Sequence, residues 1–94
     1  MHEYFPVVVQ VIPQKDYTVY VYFDDGKIVL YDVSEKLDKE IFKPLRDMDV
    51  FLNTCTVMNE TLAWDIAGGR DTTKCIDIDV FSLYELPLTE EKTA

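Results

Sequence analysis

Hydrophobic runs of two kinds follow one another along the chain, and the kind of run predicts the element. After Pro6, residues 7–12 hold five β-branched side chains in six positions, closed by Pro13. Such side chains pack well on a pleated surface, so this run predicts a strand. Residues 17–23 alternate: Val19, Val21 and Phe23 point one way, and Thr18, Tyr20 and Tyr22 the other. Asp24, Asp25 and Gly26 come next, and Asp-Gly between two such runs predicts a hairpin with residues 27–33 returning. A two-residue turn at Asp25-Gly26 sets Phe23 opposite Ile28 and Val21 opposite Leu30 on an aliphatic face that forms the core. On the other face Tyr22 then meets Val29 and Tyr20 meets Tyr31, which makes a tyrosine-rich surface without charge.

The second half is built of shorter pieces. Ser34 is placed to cap a helical turn ending at Leu37, and Ile41, Phe42 and Leu45 are apolar anchors around Pro44. Asp47 is placed to cap a helix that carries Val50, Phe51 and Leu52 into the core and stops at Asn53. Residues 55–58 and 62–66 predict a second hairpin across Asn59 and Glu60, and Gly68-Gly69 opens a loop that runs to Lys74. Cys75, Ile76 and Ile78 predict a last short strand. Asp79 then caps a final turn in which Val80, Phe81, Leu83 and Tyr84 pack, ended by Pro87. The fold class is α+β: a small antiparallel sheet built from an N-terminal strand and two β-hairpins, with short helices packed on it. Residues 1–88 read as one domain and 89–94 as a polar tail expected to fray.

Ninety-four residues fit one domain, and 48% apolar residues suffice for a modest core. A chain this short buries only roughly 60–65% of its unfolded surface, so a further partner surface would help it; a homodimer is the expectation. The net charge of −9 is uneven: residues 1–46 carry eight acids against six bases, and residues 47–94 ten against three. Such a field repels phosphate backbones and favours a basic protein as partner, so no direct nucleic-acid contact is expected. No apolar run approaches the roughly 20 residues that span a bilayer, and the chain opens without a basic region before an apolar stretch. The expectation is a cytoplasmic protein without membrane contact.

Candidate chemistry is sparse. A side-chain nucleophile needs an adjacent base, and His2 is the sole histidine. Cys55 and Cys75 lie twenty residues apart, outside the close spacing of redox or zinc motifs, and are expected reduced and partly buried. No enzyme, cofactor or metal is expected. The densest polar cluster is Asp65, Arg70, Asp71 and Asp77 around the glycines, either a cation or ligand site or a glycine turn held by an Arg70–Asp ion pair. Lys36, Lys39, Lys43 and Arg46 share a helical spacing, but Pro44 argues against one helix there. Trp64 reads as a core residue. The face expected to meet a partner is Tyr20, Tyr22, Val29 and Tyr31, since tyrosine combines apolar area with a polar tip.

Three motifs carry a family resemblance. They are Pro13 and Asp16-Tyr17 followed by Val19, Val21 and Phe23-Asp24-Asp25-Gly26; then Phe42, Pro44-Leu45-Arg46-Asp47 and Phe51; then Leu62-Ala63-Trp64-Asp65-Ile66 with Asp77-Ile78 and Leu83-Tyr84. In order and spacing they resemble the bacterial domain-of-unknown-function family number 2442. The resemblance implies a small α+β fold with an antiparallel sheet. It also implies one of two settings: ahead of a helix-turn-helix domain, or alone beside a second small protein in an arrangement like a toxin–antitoxin pair. The chain ends soon after Tyr84, which points to the second setting. Many members have a Trp-Pro-Asn-Gly-like turn where this chain has Asp65-Ile66-Ala67-Gly68-Gly69-Arg70-Asp71, so a binding role on that loop does not carry over. The functional expectation is a non-enzymatic protein-binding domain, antitoxin-like, that neutralises a small basic neighbour. The alternatives are a regulatory accessory of a separate DNA-binding protein and a small-molecule or metal sensor using the 65–79 region.

Overall fold

Alternating segments joined by tight turns can satisfy their backbone groups only against one another, and here they do so in two small sheets. The protein, represented by a computed structural model, is described over residues 4–70 and 74–89. Strands β1 (Val8–Pro13), β2 (Thr18–Phe23) and β3 (Ile28–Asp32) form one antiparallel sheet in that order. Strands β4 (Cys55–Met58), β5 (Thr61–Trp64) and β6 (Ile76–Asp77) form the other, also in chain order. Between the sheets run two 3₁₀ segments, Ser34–Lys36 and Glu40–Arg46, and helix α1 (Met48–Thr54); helix α2 (Val80–Tyr84) follows β6. The architecture is α+β as expected, with the strands divided over two sheets.

The first sheet departs from the sequence reading in its register. Phe23 N–H donates to the Lys27 carbonyl and Gly26 N–H to the Phe23 carbonyl, so the loop is Asp24-Asp25-Gly26, three residues rather than two. Gly26 supplies the left-handed conformation, φ 95°, that such a loop requires. One added residue shifts every pair: Val21 now faces Val29, Val19 faces Tyr31, Tyr20 faces Leu30 and Tyr22 faces Ile28. A one-residue slip turns side chains to the opposite side. Val29 is therefore in the core at 0% exposure, and Tyr31 packs half-buried against it. The four residues Tyr20, Tyr22, Val29 and Tyr31 do not share a face.

The core lies where the two sheets and α1 meet. Val8, Val19, Val21, Phe23, Val29 and Val33 come from the first sheet and its exit; Phe42, Leu45 and Phe51 from the connecting segments; Leu62, Trp64, Ile76, Ile78 and Leu83 from the rest. Trp64 is fully buried, with its indole N–H donating to the Phe51 carbonyl at 3.2 Å, as a core tryptophan requires. Thr61 is the buried polar side chain of the described residues, satisfied by the Ile78 carbonyl at 2.7 Å. The sheets are joined by packing of β1 against β4 and by the hydrogen bond from Val8 N–H to the Glu60 carbonyl.

Aspartates set the local starts and turns. Asp47 caps α1 through Asp49 N–H and Asp79 caps α2 through Phe81 N–H, both as predicted. At the first 3₁₀ segment the role falls to Asp32, which accepts from the N–H and hydroxyl of Ser34, so Ser34 is capped rather than capping. Helix α1 runs through Asn53 to Thr54, whose hydroxyl donates back to the Val50 carbonyl. Ile41 is 59% exposed and Phe81 49%, so neither serves as the anchor its hydropathy suggested. Asn59 and Glu60, at φ 54° and 62°, form a two-residue turn between β4 and β5 of the twist that suits a hairpin.

Candidate functional site

Residues singled out in the sequence as candidates fall in two places, and the fold assembles a third. The first is the outer face of the first sheet. Register places Gln10, Tyr22 and Ile28 in one cross-strand row and Ile12, Tyr20 and Leu30 in the next. Tyr20 is buried, Tyr22 is half-buried with its hydroxyl oxygen enclosed and unpartnered, and Leu30 is 40% exposed. Tyr20 and Tyr22 thus belong to this face while Val29 and Tyr31 belong to the core side.

The second place is a cleft of about 480 Å³ between the end of α1 and the loop after β5, lined by Asn53, Thr54, Cys55, Asp65, Gly68 and Arg70 among others. Gly68, Gly69 and Arg70 are all left-handed, and this curl returns Arg70 N–H to the Asp65 carboxylate at 2.9 Å. The Arg70 guanidinium reaches the Val57 carbonyl at 2.9 Å, so the described residues show no Arg70–Asp ion pair. The other Asp65 oxygen is enclosed and unpartnered. Asp77 stands exposed on β6 opposite Ala63, apart from the cleft lining, and Asp71 lies outside the described residues. No three His, Cys, Asp or Glu side chains among the described residues converge on a point where a cation would sit. Burial pushes the Cys55 thiol up to about 12, so at neutral pH it is protonated and a poor nucleophile. Cys55 on β4 and Cys75 before β6 are separated by β5; two strand spacings are about 9.6 Å, beyond disulfide reach.

The four bases of residues 36–46 are largely engaged locally. Lys36 reaches the Asp32 carbonyl and lies over the Tyr31 ring, Lys43 pairs with Glu40 at 3.0 Å, and Arg46 Nε donates to the Leu37 carbonyl.

The third place was not foreseen. Around the β2–β3 loop the N-terminal segment and α2 assemble an aromatic cluster. Tyr84 packs on Phe23 with centroids 4.9 Å apart and on Tyr4 at 5.3 Å, and Phe5 meets Phe81 at 6.5 Å. Tyr4 donates to the Asp24 carboxylate, Tyr84 donates to Asp25 at 2.5 Å, and the Lys27 ammonium lies 4.4 Å over the Tyr84 ring. The Tyr84 hydroxyl holds the Asp25 carboxyl below its usual range. Tyr4 is pushed up to about 12, by desolvation first and then by Asp24. Tyr4, Phe5 and Phe81 remain 41%, 67% and 49% exposed. A signal was available: in a five-residue helix, Val80, Leu83 and Tyr84 share one side, which turns Phe81 outward.

No helix among the described residues is long and apolar enough to cross a membrane. No curated protein and no solved structure matches the chain. A family model does, over residues 8–86, which takes in every element from β1 to α2. The chain therefore belongs to the family described as protein of unknown function (DUF2442).

Proposed function

We propose that this domain acts without chemistry of its own, as a cytoplasmic protein-binding module that neutralises a small basic protein in the manner of an antitoxin. The observation that supports this reading is the disposition of charge. Every described carboxylate except Asp65 is exposed, and among the described residues the one ion pair is Lys43–Glu40. The negative field is thus directed outward and little neutralised internally, which speeds encounter with a basic surface and disfavours acidic ones. The protonated state of Cys55, which its burial enforces, agrees with the reading.

The test is co-expression with the product of the adjacent gene, followed by gel filtration at low and high salt. The two proteins are expected to co-elute at low salt and to weaken as salt rises, because exposed charge is screened. Separate elution at low salt, where the attraction is strongest, overturns the proposal.

A further inference from the structure

We infer that the basic partner docks on the aromatic cluster at the β2–β3 loop, with arginine or lysine side chains set over the rings of Phe5 and Phe81. The inference rests on the reading above and gives it a location. Four of the exposed large apolar residues belong to this end of the chain's fold: Tyr4 and Phe5 before β1, and Phe81 and Leu88 in and after α2. Ring contacts tie Tyr4 to Tyr84 and Phe5 to Phe81, and both tyrosines are anchored by hydrogen bonds to the loop aspartates. The two tyrosine rings at the centre of the cluster are therefore held in place before any partner arrives, which lowers the ordering cost of binding.

Three carboxylates are hydrogen-bonded into this aromatic set. Asp24 and Asp25 accept from Tyr4 and Tyr84, and the Asp79 carboxylate accepts from Phe81 N–H. Glu85 follows α2, its backbone N–H donating to the Phe81 carbonyl. All four acids are exposed. An aromatic centre with a charged rim has the composition of an interface, and tyrosine and phenylalanine are enriched there.

The charge selects the occupant. A second copy facing this patch across a two-fold axis would set the same carboxylates against themselves, which is repulsive. Nucleic acid and anionic lipid meet the same objection. A cation is welcome, and the patch already displays one: Lys27 sits over the Tyr84 face, 4.4 Å from the centroid. A basic segment would repeat that contact on Phe5 and Phe81, which stay 67% and 49% exposed.

The probe is an oligo-arginine peptide titrated into the isotopically labelled protein at low salt, with oligo-glutamate as control, followed by chemical-shift mapping. Shifts are expected to concentrate on Phe5, Asp24, Asp25, Phe81 and Glu85. Phe81→Ala is expected to weaken binding about tenfold, as for an aromatic at an interface centre, whereas Ile41→Ala, equally exposed elsewhere, leaves it unchanged. Phe5→Ala and Glu85→Gln repeat the test should Phe81→Ala fail to fold. Shifts spread evenly over the carboxylates, or equal affinity of the aromatic variants and Ile41→Ala, overturn the placement while leaving the basic-partner reading standing. No binding at low salt overturns the placement, and separate elution from the neighbouring protein then disposes of the reading beneath it.

Discussion

The loops at the two ends of β2 follow the same backbone path with different residues at its critical point. In the loop Lys15-Asp16-Tyr17, Gln14 N–H donates to the Thr18 carbonyl, Tyr17 N–H to the Gln14 carbonyl, and the Asp16 carboxylate accepts from Thr18 N–H. In Asp24-Asp25-Gly26 the same three bonds link Phe23 to Lys27, Gly26 to Phe23 and Asp25 to Lys27 N–H. The third residue is left-handed in both: Gly26 at φ 95°, which costs little, and Tyr17 at φ 67°, which is strained. What holds Tyr17 there is distant in sequence. Its hydroxyl donates to the Arg46 carbonyl and its ring meets Phe51 edge-on at 5.2 Å. One loop is thus specified by its own residues and the other by the segment that packs over it.

The largest effect should come from removing that distant hold. Tyr17→Ala is expected to cost about 2 kcal/mol, from the ring contact and the hydroxyl bond together. Tyr17→Gly loses the same contacts but relieves left-handed strain of about 1 kcal/mol, so it should be the milder substitution. Denaturant unfolding of both variants checks the order, and the reverse order would mean that the backbone there is not strained. At the other loop, Gly26→Ala should cost about 1 kcal/mol through the backbone alone, since nothing lies within 4 Å of the added methyl. The β4–β5 turn extends the comparison: Glu60 is left-handed with its side chain exposed, and Glu60→Gly should raise the unfolding midpoint by the equivalent of about 0.5–1 kcal/mol.

The smallest effect is in acid. Asp16 and Asp25 both have lowered carboxyl pKa values, Asp16 chiefly through the Thr18 hydroxyl and Asp25 chiefly through Tyr84. A lowered folded-state value means a contribution that is present above the usual carboxylate pKa and lost as pH falls through the folded value. The acid limb of a stability-versus-pH curve should therefore be shallower in Asp16→Asn and Asp25→Asn than in the unaltered protein.

The same contrast explains what the sequence disclosed. Alternation located β2, the caps Asp47 and Asp79 located both helices, and Asn59-Glu60 located the second hairpin, because each is a local preference. The register of the first hairpin was not local. Residues 27–33 carry apolar side chains at both parities, so either Ile28 and Leu30 or Val29, Tyr31 and Val33 could have faced inward. A glycine in the left-handed region serves two-residue and three-residue loops alike. Packing against Phe42, Leu45 and Phe51 chose the second set. In the cleft, the sequence offered an Arg70–Asp ion pair; the bond that forms runs from the Arg70 backbone to Asp65, and the guanidinium is claimed by Val57 on a neighbouring strand. The cluster of Tyr4, Phe5, Phe81 and Tyr84 joins the two ends of the chain, and no window along the sequence holds both.

The single bond from Val8 N–H to the Glu60 carbonyl has a consequence for breathing motions. It pins the tip of one hairpin to the first residue of β1, three positions after Phe5. Amide exchange at Val8 therefore reports how often the seam between the sheets parts. A ligand seated on Phe5 would damp that opening, and the slowing would register at a proton the ligand never touches.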